Sequence, residues 1–205
     1  MSFLTFRRYY LDDFLISTSF SGMVLDIGGK KDNKRGKFRP PLNQVDSWEY
    51  LNIDEDTNPD YLCSADSIPV EDEHFDMVLL CEVLEHLENP EEVLNEAQRV
   101  LKKGGRVIIS MPFLNAIHAD PYDYQRWTDF KFQAELKKSG FSNIDIVPMG
   151  SVFAVIYDIL YVASSNRFYR KLFLYPLSLV FRPLDRWVSK RVKKINTGYF
   201  INATK

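Results

Sequence analysis

Met23-Val24-Leu25-Asp26-Ile27-Gly28-Gly29 is the stretch on which the reading of the chain turns. It is a short apolar run with one acid in it, closed by paired glycines. That pattern suits a buried strand running into a tight turn, where bare backbone can approach whatever lies beyond the strand end.

Working outward, the same kind of strand recurs. Trp48 to Ile53 is a second strand, stopped by Asp54-Glu55-Asp56, and Tyr61-Leu62-Cys63 is a short third. Phe75 to Cys81 is a nearly continuous apolar run, as expected of a strand covered on both faces. A well-marked helix follows: Asn89 as cap, Pro90 in the first position and Glu92 where a capping-box acid belongs. Val93, Leu94, Ala97, Val100 and Leu101 then recur at helical spacing, Lys102 and Lys103 suit the negative end of the dipole, and Gly104 stops the helix. Arg106 to Met111 is a fifth strand, Thr128 to Ser139 a helix ended by Gly140, Phe141 to Val147 a sixth strand, and Gly198 to Ala203 a seventh. Upstream of the deciding stretch, Phe6 to Thr18 reads as a helix with Tyr9, Tyr10, Phe14 and Leu15 on one side. Alternating strands and helices imply an α/β fold with a mostly parallel sheet wound on both faces. One stretch breaks the alternation. Lys30 to Gln44 carries six Lys or Arg and two prolines without apolar periodicity, so a long loop stands where the first crossover helix belongs.

The chain has 205 residues, enough for one α/β domain and too few for two ordinary ones. A net charge of -2 argues against a general polyanion binder. Cys63 and Cys81, both in strand-like runs, point to a reducing compartment rather than a disulfide framework. Met1 to Tyr10 lacks the apolar core of a secretory leader, and a cytoplasmic protein is expected. The charge is uneven. Asn166 to Lys194 holds nine basic residues against Asp185 alone, leaving 17 basic and 27 acidic residues elsewhere.

In a doubly wound sheet, ligands bind beyond the carboxyl ends of the strands. Those ends carry Asp26-Ile27-Gly28-Gly29, Asp54, Asp66, Glu82 and Met111-Pro112-Phe113. Taken in order, Val24-Leu25-Asp26-Ile27-Gly28-Gly29, Asn52-Ile53-Asp54 and Ala65-Asp66-Ser67-Ile68-Pro69 resemble the class I S-adenosylmethionine-dependent methyltransferases. So do Phe75-Asp76-Met77-Val78, Glu82-Val83-Leu84-Glu85-His86-Leu87 and Arg99-Val100-Leu101-Lys102-Lys103-Gly104-Gly105. The resemblance covers roughly Met23 to Phe141 and extends to the last strand. It implies a Rossmann-like, seven-stranded sheet in a single domain over residues 1–205. An N-terminal helix would occupy 1–21, the cofactor-binding core 22–149, a helical insertion 150–195 and the final strand 196–205.

The resemblance also implies roles. Gly28 and Gly29 would let the backbone approach the methionine part of S-adenosylmethionine, with Asp26 anchoring the turn or the cofactor's amino group. Asp54 would accept the ribose hydroxyls, Asp66 and Ser67 would face the adenine amino group, and Ile68 would pack on the ring. Backbone at Cys81 and Glu82 would border the sulfonium. A nicotinamide dinucleotide would use the same sheet, but its pyrophosphate calls for G-x-G-x-x-G, and the chain has Gly28-Gly29-Lys30-Lys31-Asp32-Asn33. The family's second glycine is replaced by Lys30, which leaves open a cofactor-binding protein without catalysis. Taken singly, Asp26 reads as a turn cap, Asp54 as an ordinary strand-end acid, and Glu85 and His86 as a bridge to the next helix; their collective order is what points to the cofactor.

Methyl transfer to a hydroxyl needs positioning and a base, for which histidine is the usual choice. The polar, aromatic loop Phe113 to Thr128 supplies His118 as candidate base, Asp120 or Asp123 to orient it, and Tyr124 and Arg126 to hold an acceptor. The alternative is a loop kept rigid by pairs among these same residues. The loop resembles the acceptor loop of small methyltransferases of bacterial surface-polysaccharide and glycolipid assembly, implying a sugar, glycolipid or small-molecule acceptor. Nucleic-acid acceptors fit less well: Asp120-Pro121-Tyr122 follows the fifth strand, not the fourth, and the basic charge interleaves with aliphatic bulk. No metal is called for.

Between Gly150 and Thr197 come two apolar helical stretches, Val152 to Ala163 and Leu172 to Phe181, the second broken at Pro176. Neither approaches the ~20 residues that span a bilayer. Residues 152–194 suit a lid, a homodimer interface, or peripheral contact with the inner face of an anionic membrane.

Overall fold

The computed structural model describes residues 5–31, 36–164, 166, 168 and 170–205. Seven strands form one sheet: β1 (Met23–Ile27), β2 (Ser47–Asn52), β3 (Tyr61–Leu62), β4 (Phe75–Cys81), β5 (Leu101–Pro112), β6 (Ser142–Met149) and β7 (Gly198–Thr204). Their order is β3-β2-β1-β4-β5-β7-β6. β1 lies parallel to β2 and β4, and β4 to β5, while β7 runs antiparallel to both β5 and β6. The mostly parallel, seven-stranded sheet expected from the sequence is the one observed.

Period-two alternation sorts the apolar strand residues onto two faces. Leu25, Ile27, Val78, Leu80, Val107 and Ile109 face a core closed by α2 (Pro90–Val100) and α3 (Asp129–Lys138). Val24, Met77, Leu79 and Ile108 face the opposite core, closed by α1 (Phe6–Ser17) and α4 (Val152–Ala163). Between β1 and β2 no helix occurs among the described residues, as the composition of 30–44 implies. Residues 32–35 of that loop lie outside the described residues.

Two boundaries differ from expectation. α2 stops at Val100, and Leu101 to Gly105 already belong to the β5 edge. Leu101 pairs with Phe75, Lys102 reaches Asp76 at 2.8 Å, and Gly104 turns at φ +76°. The lysines therefore serve a sheet edge rather than the helix dipole. Asn89 makes no side-chain cap bond, and its carbonyl instead accepts from the Glu92 N–H. In the insertion, Pro176 does not break a helix. It sits in the first turn of α5 (Tyr175–Ser189), where its missing N–H costs nothing, and the helix continues past Pro183. A π-type turn, Arg170–Leu174, precedes α5.

Two buried acids tie the insertion to the body. The Asp158 carboxylate on α4 accepts from the Phe6 and Arg7 N–H groups at 2.6 and 3.0 Å and from Thr197 Oγ1 at 3.0 Å. Asp185 on α5 accepts from Tyr10 Oη at 2.5 Å, from the Ser151 N–H and Oγ at 3.0 and 2.5 Å, and from the Ala154 N–H at 2.9 Å.

Candidate active site

A cavity of about 440 Å³ opens at the carboxyl ends of β1, β2 and β4. Its walls come from three strand ends and two loops: Ile27, Gly28 and Lys30; Asn52 and Asp54; Ser64 and Ala65; Glu82, Val83 and His86; and Asp120. The glycine turn is built for close approach. Gly28 adopts φ +76°, a conformation costly for any other residue, and a Cβ on Gly29 would lie 2.5 Å from the Asp26 carboxyl carbon. Asn52 holds this turn by donating its side-chain amide to the Gly29 carbonyl at 3.1 Å.

The expected cofactor residues divide. Gly28, Asp54 and Glu82 line the cavity. Asp54 is exposed at its mouth, with one carboxylate oxygen capping the turn at Asp56 and the other 3.8 Å from Lys30 Nζ. Asp26 sits beneath the glycine turn rather than in the cavity wall, and its burial pushes the carboxyl up to about 7. This favours the turn-anchoring role over direct cofactor contact. The structure does not bring Asp66, Ser67 or Ile68 to the cavity. Asp66 and Ser67 border a separate open depression with Glu92 and Arg99, and Ile68 is buried in the core. Ser64 and Ala65, two residues nearer β3, occupy the wall instead. Cys81 packs into the core on the α1 side, and burial pushes its thiol up to about 12. Glu82, at φ +60°, accepts from Ser110 Oγ at 3.2 Å and touches the Arg7 guanidinium.

The lining fits an adenosyl sulfonium. Ile27, Leu51, Ile53, Ala65, Val83 and Leu87 give apolar surface for a planar base, Asp54 is a strand-end carboxylate for a diol, and Gly28 leaves backbone bare.

Beside this cavity the loop 113–128 lies over the segment Glu82 to Glu88 and is pinned to it. The Tyr124 N–H donates to the Glu85 carbonyl at 2.8 Å, and Gln125 Nε2 to the Leu87 carbonyl at 2.7 Å. Asp123 and Arg126 form an ion pair, with Arg126 Nη2 2.6 Å from Asp123 Oδ2, and this guanidinium holds the Asp123 carboxyl down at about 2. Asp123 also accepts the His118 backbone N–H at 2.9 Å. Both residues are thus engaged in holding the loop, and neither orients the imidazole of His118. Asp120 borders the cavity.

The acid that faces the imidazole is Glu85. It is fully buried, neither carboxylate oxygen has a hydrogen-bond partner, and its Oε1 lies 3.7 Å from His118 Nε2. Burial raises the Glu85 carboxyl, against the pull of His86, Arg7 and Arg126. His118 is pushed down to about 4, first by burial and then by the Arg7 charge, so its ring is neutral at physiological pH. His86 packs edge-on against it at 5.2 Å, with Nδ1 2.6 Å from the Tyr122 carbonyl. Glu85, His86 and His118 bring one ligand atom each within 4.8 Å of one another, a spacing open to a metal ion. Arg7 and Arg126 face the same carboxylate, however, and already supply the positive charge a cation would bring. The group therefore reads as proton-transfer chemistry. Sequence reasoning read Glu85 as a bridge to the next helix and not as the partner of His118. Its signal was a charged residue between Leu84 and Leu87, where the chain has little room to reach solvent.

Comparisons with known proteins agree with this geometry. Residues 43–109 match a family model described as a methyltransferase domain. An uncharacterized protein of Methanocaldococcus jannaschii is 34% identical over 125 residues, covering 53% of this chain and 61% of that protein, so the match leaves more than a third of the relative outside it. Among solved structures, the 4+2 cyclase SpnF superposes with TM-score 0.60 at 15% identity, over 95% of this chain and 79% of its own. Phosphoethanolamine N-methyltransferase 2 of Haemonchus contortus, in complex with S-adenosyl-L-methionine, gives TM-score 0.59 at 17% identity, over 97% of this chain and 52% of its own. Residues 43–109 thus resemble a methyltransferase domain, and the strand order of the whole sheet is that of the class I S-adenosylmethionine-dependent methyltransferase fold.

Proposed function

We propose that the chain methylates a hydroxyl group of a small acceptor, a sugar or the sugar of a glycolipid, with His118 as proton acceptor and Glu85 as its positioning residue. The observation that carries this reading is the buried, unpartnered Glu85 carboxylate 3.7 Å from His118 Nε2, at the edge of a cavity suited to the cofactor. Gly28, Asn52, Asp54, Ser64 and Ala65 would hold S-adenosylmethionine, which supplies an electrophilic methyl group on a positively charged sulfur. The acceptor oxygen must shed its proton as the new carbon–oxygen bond forms. A neutral imidazole that carries its hydrogen on Nε2, toward Glu85, would take that proton at Nδ1, and the Glu85 carboxylate would stabilise the imidazolium that results. Exposed Ile117, Tyr122 and Tyr124 stand on the same loop, and the two tyrosine rings lie 5.5 Å apart. Such a surface suits the apolar face of a sugar ring, while the polar edge stays free for hydrogen bonds.

Calorimetry with S-adenosylmethionine and S-adenosylhomocysteine tests the cavity. Both should bind, and Asp54→Ala should abolish binding of both. Methyl transfer to a panel of glycosides tests the chemistry. His118→Ala should lower kcat by roughly 10²–10⁴-fold with cofactor affinity intact. Glu85→Gln should lower kcat at unchanged acceptor KM and move the acid limb of the pH profile. An unaffected rate in His118→Ala removes that residue from its role.

One observation favours a second reading, a cofactor-binding protein without transfer. Lys30 replaces a family glycine and stands 3.8 Å from Asp54, the residue assigned to the ribose. Tight cofactor binding with no transfer to any glycoside, and no gain from Lys30→Gly, would select it.

A further inference from the structure

Helix α5 is assembled inside out. Its two fully buried residues are Ser178 and Asp185, while Leu179, Val180, Leu184 and Trp187 stand in solvent, Leu179 57% and Trp187 59% exposed. Val180, Leu184 and Trp187 recur at spacings of four and three residues, so they form one stripe along the helix, with Leu179 beside it. α4 adds to this surface, although it also buries Ala154, Val155 and Tyr157 in the core. It buries Asp158 and presents Ile156 and Ile159 outward. The two helices pack together, so these exposed apolar residues stand on neighbouring helices, more of them than the scattered exposure usual for a soluble monomer.

A second feature adjoins this stripe. An open depression of about 430 Å³ is lined by Tyr9, Arg182, Pro183, Arg186, Trp187 and Lys190. The Arg182 and Arg186 guanidiniums are held over the Tyr9 ring at 4.8 and 5.6 Å, and Arg191 covers the Trp187 ring at 4.1 Å. Lys190, Arg191, Lys193 and Lys194 follow at the exposed end of the helix. Apolar side chains beside a cationic notch are what an anionic lipid surface recognises: acyl chains take the stripe and phosphate headgroups take the arginines and lysines. A second copy fits poorly, because a two-fold contact would set the notch and its cations against themselves. No helix among the described residues is long and apolar enough to cross a bilayer, so contact would be from one side.

We propose that the outward face of α4 and α5 docks the protein on the surface of an anionic bilayer, with phosphate headgroups seated among Arg182, Arg186 and Lys190. The docking stands independently of methyl transfer, since none of these residues lines the cofactor cavity.

Sedimentation with phosphatidylcholine vesicles, with and without phosphatidylglycerol, tests it in the full chain. Binding should require the anionic lipid and should fall with added salt. Trp48 and Trp127 are buried, so quenching of tryptophan fluorescence by brominated acyl chains should report Trp187 and vanish in Trp187→Phe. Charge reversal of Lys190, Lys193 and Lys194 to Glu should weaken binding by at least roughly a hundredfold, at about 1 kcal/mol for each cation near the surface. Leu184→Ser with Trp187→Ser should abolish it, while the melting curve and S-adenosylhomocysteine affinity of both variants stay those of the parent. Equal binding to neutral and anionic vesicles, no binding at low salt, competition by soluble glycerol phosphate at vesicle-equivalent concentration, or a stable dimer that buries Trp187 would each overturn the proposal.

Discussion

Helices α2 and α5 are both strongly amphipathic, yet they resolve that amphipathicity in opposite directions. α2 turns Val93, Leu94, Ala97 and Val100 onto the sheet, all buried, and leaves Glu91 and Glu92 toward solvent. α5 turns Ser178 and Asp185 inward and leaves Leu179, Val180, Leu184 and Trp187 outside. In α2, burial of apolar surface holds the helix to the fold. In α5, the hydrogen bonds of Asp185 share that task with the half-buried Leu177 and Phe181, and the apolar stripe opposite is left for something outside the chain. Periodicity alone finds an amphipathic helix but does not say which face turns inward. The position of the buried acids does.

The sharpest way to break the comparison is to remove the anchoring group of each helix. Leu94→Ala removes apolar volume that is fully buried and should cost about 2–5 kcal/mol in urea unfolding. Asp185→Ala should cost on the order of 3 kcal/mol, since Tyr10, Ser151 and Ala154 lose a buried charged acceptor together. Tyr10→Phe is milder, because it removes one donor and leaves the carboxylate its bonds to Ser151 and Ala154. If Asp185→Ala melted like the parent, Leu177 and Phe181 alone would hold α5 and the inside-out description would fail.

Substitutions on the apolar face of α5 sharpen the contrast from the other side. Leu184→Ser should change stability by less than about 0.5 kcal/mol, because the side chain it removes is already in water. The equivalent change in α2, Leu94→Ser, should prevent stable folding. A large loss from Leu184→Ser would mean that the exposed stripe packs against the protein after all.

The fold was legible because its determinants are local. Runs such as Phe75 to Cys81 and the paired glycines at 28 and 29 carry strand and turn in a few consecutive residues. The boundary after Val100 was not, since Lys102, Lys103 and Gly104 suit a helix end and a sheet edge equally, and only the pairing of Leu101 with Phe75 decides between them. The cavity was legible in part. Asp54 and Gly28 are fixed by the strand ends that carry them, but which of Ser64 to Ile68 faces the cavity depends on how the chain leaves β3, a two-residue strand. The partner of His118 was hidden for a different reason. Asp120 and Asp123 are near it in sequence, whereas Glu85 reaches it through the packing of one loop on another.

The smallest effect concerns pH, and it compares the insertion's anchor with the candidate site. Burial pushes Asp158 up to about 6, above the ordinary value of 3.8. The folded chain therefore binds more protons than the unfolded one between those values, and the stability from this group is full below about pH 4 and lost as pH rises through 6. His118 works the other way. Its folded value of about 4 lies below the ordinary 6.5, so the unfolded chain binds more protons in that window and stability from His118 is gained as pH rises from 4 to 6.5. Across pH 4 to 6 the two slopes oppose each other, and Asp26, pushed up to about 7, adds to that of Asp158. With two groups against one, the stability of the parent to urea should fall as pH rises through this range. Asp158→Asn keeps the shape and removes the titration, leaving Asp26 and His118 opposed, so its stability should be nearly flat across pH 4 to 6. His118→Ala should fall with pH instead. Parallel curves for all three proteins would mean that neither group changes its proton affinity on folding, and the electrostatic description of both sites would have to be abandoned.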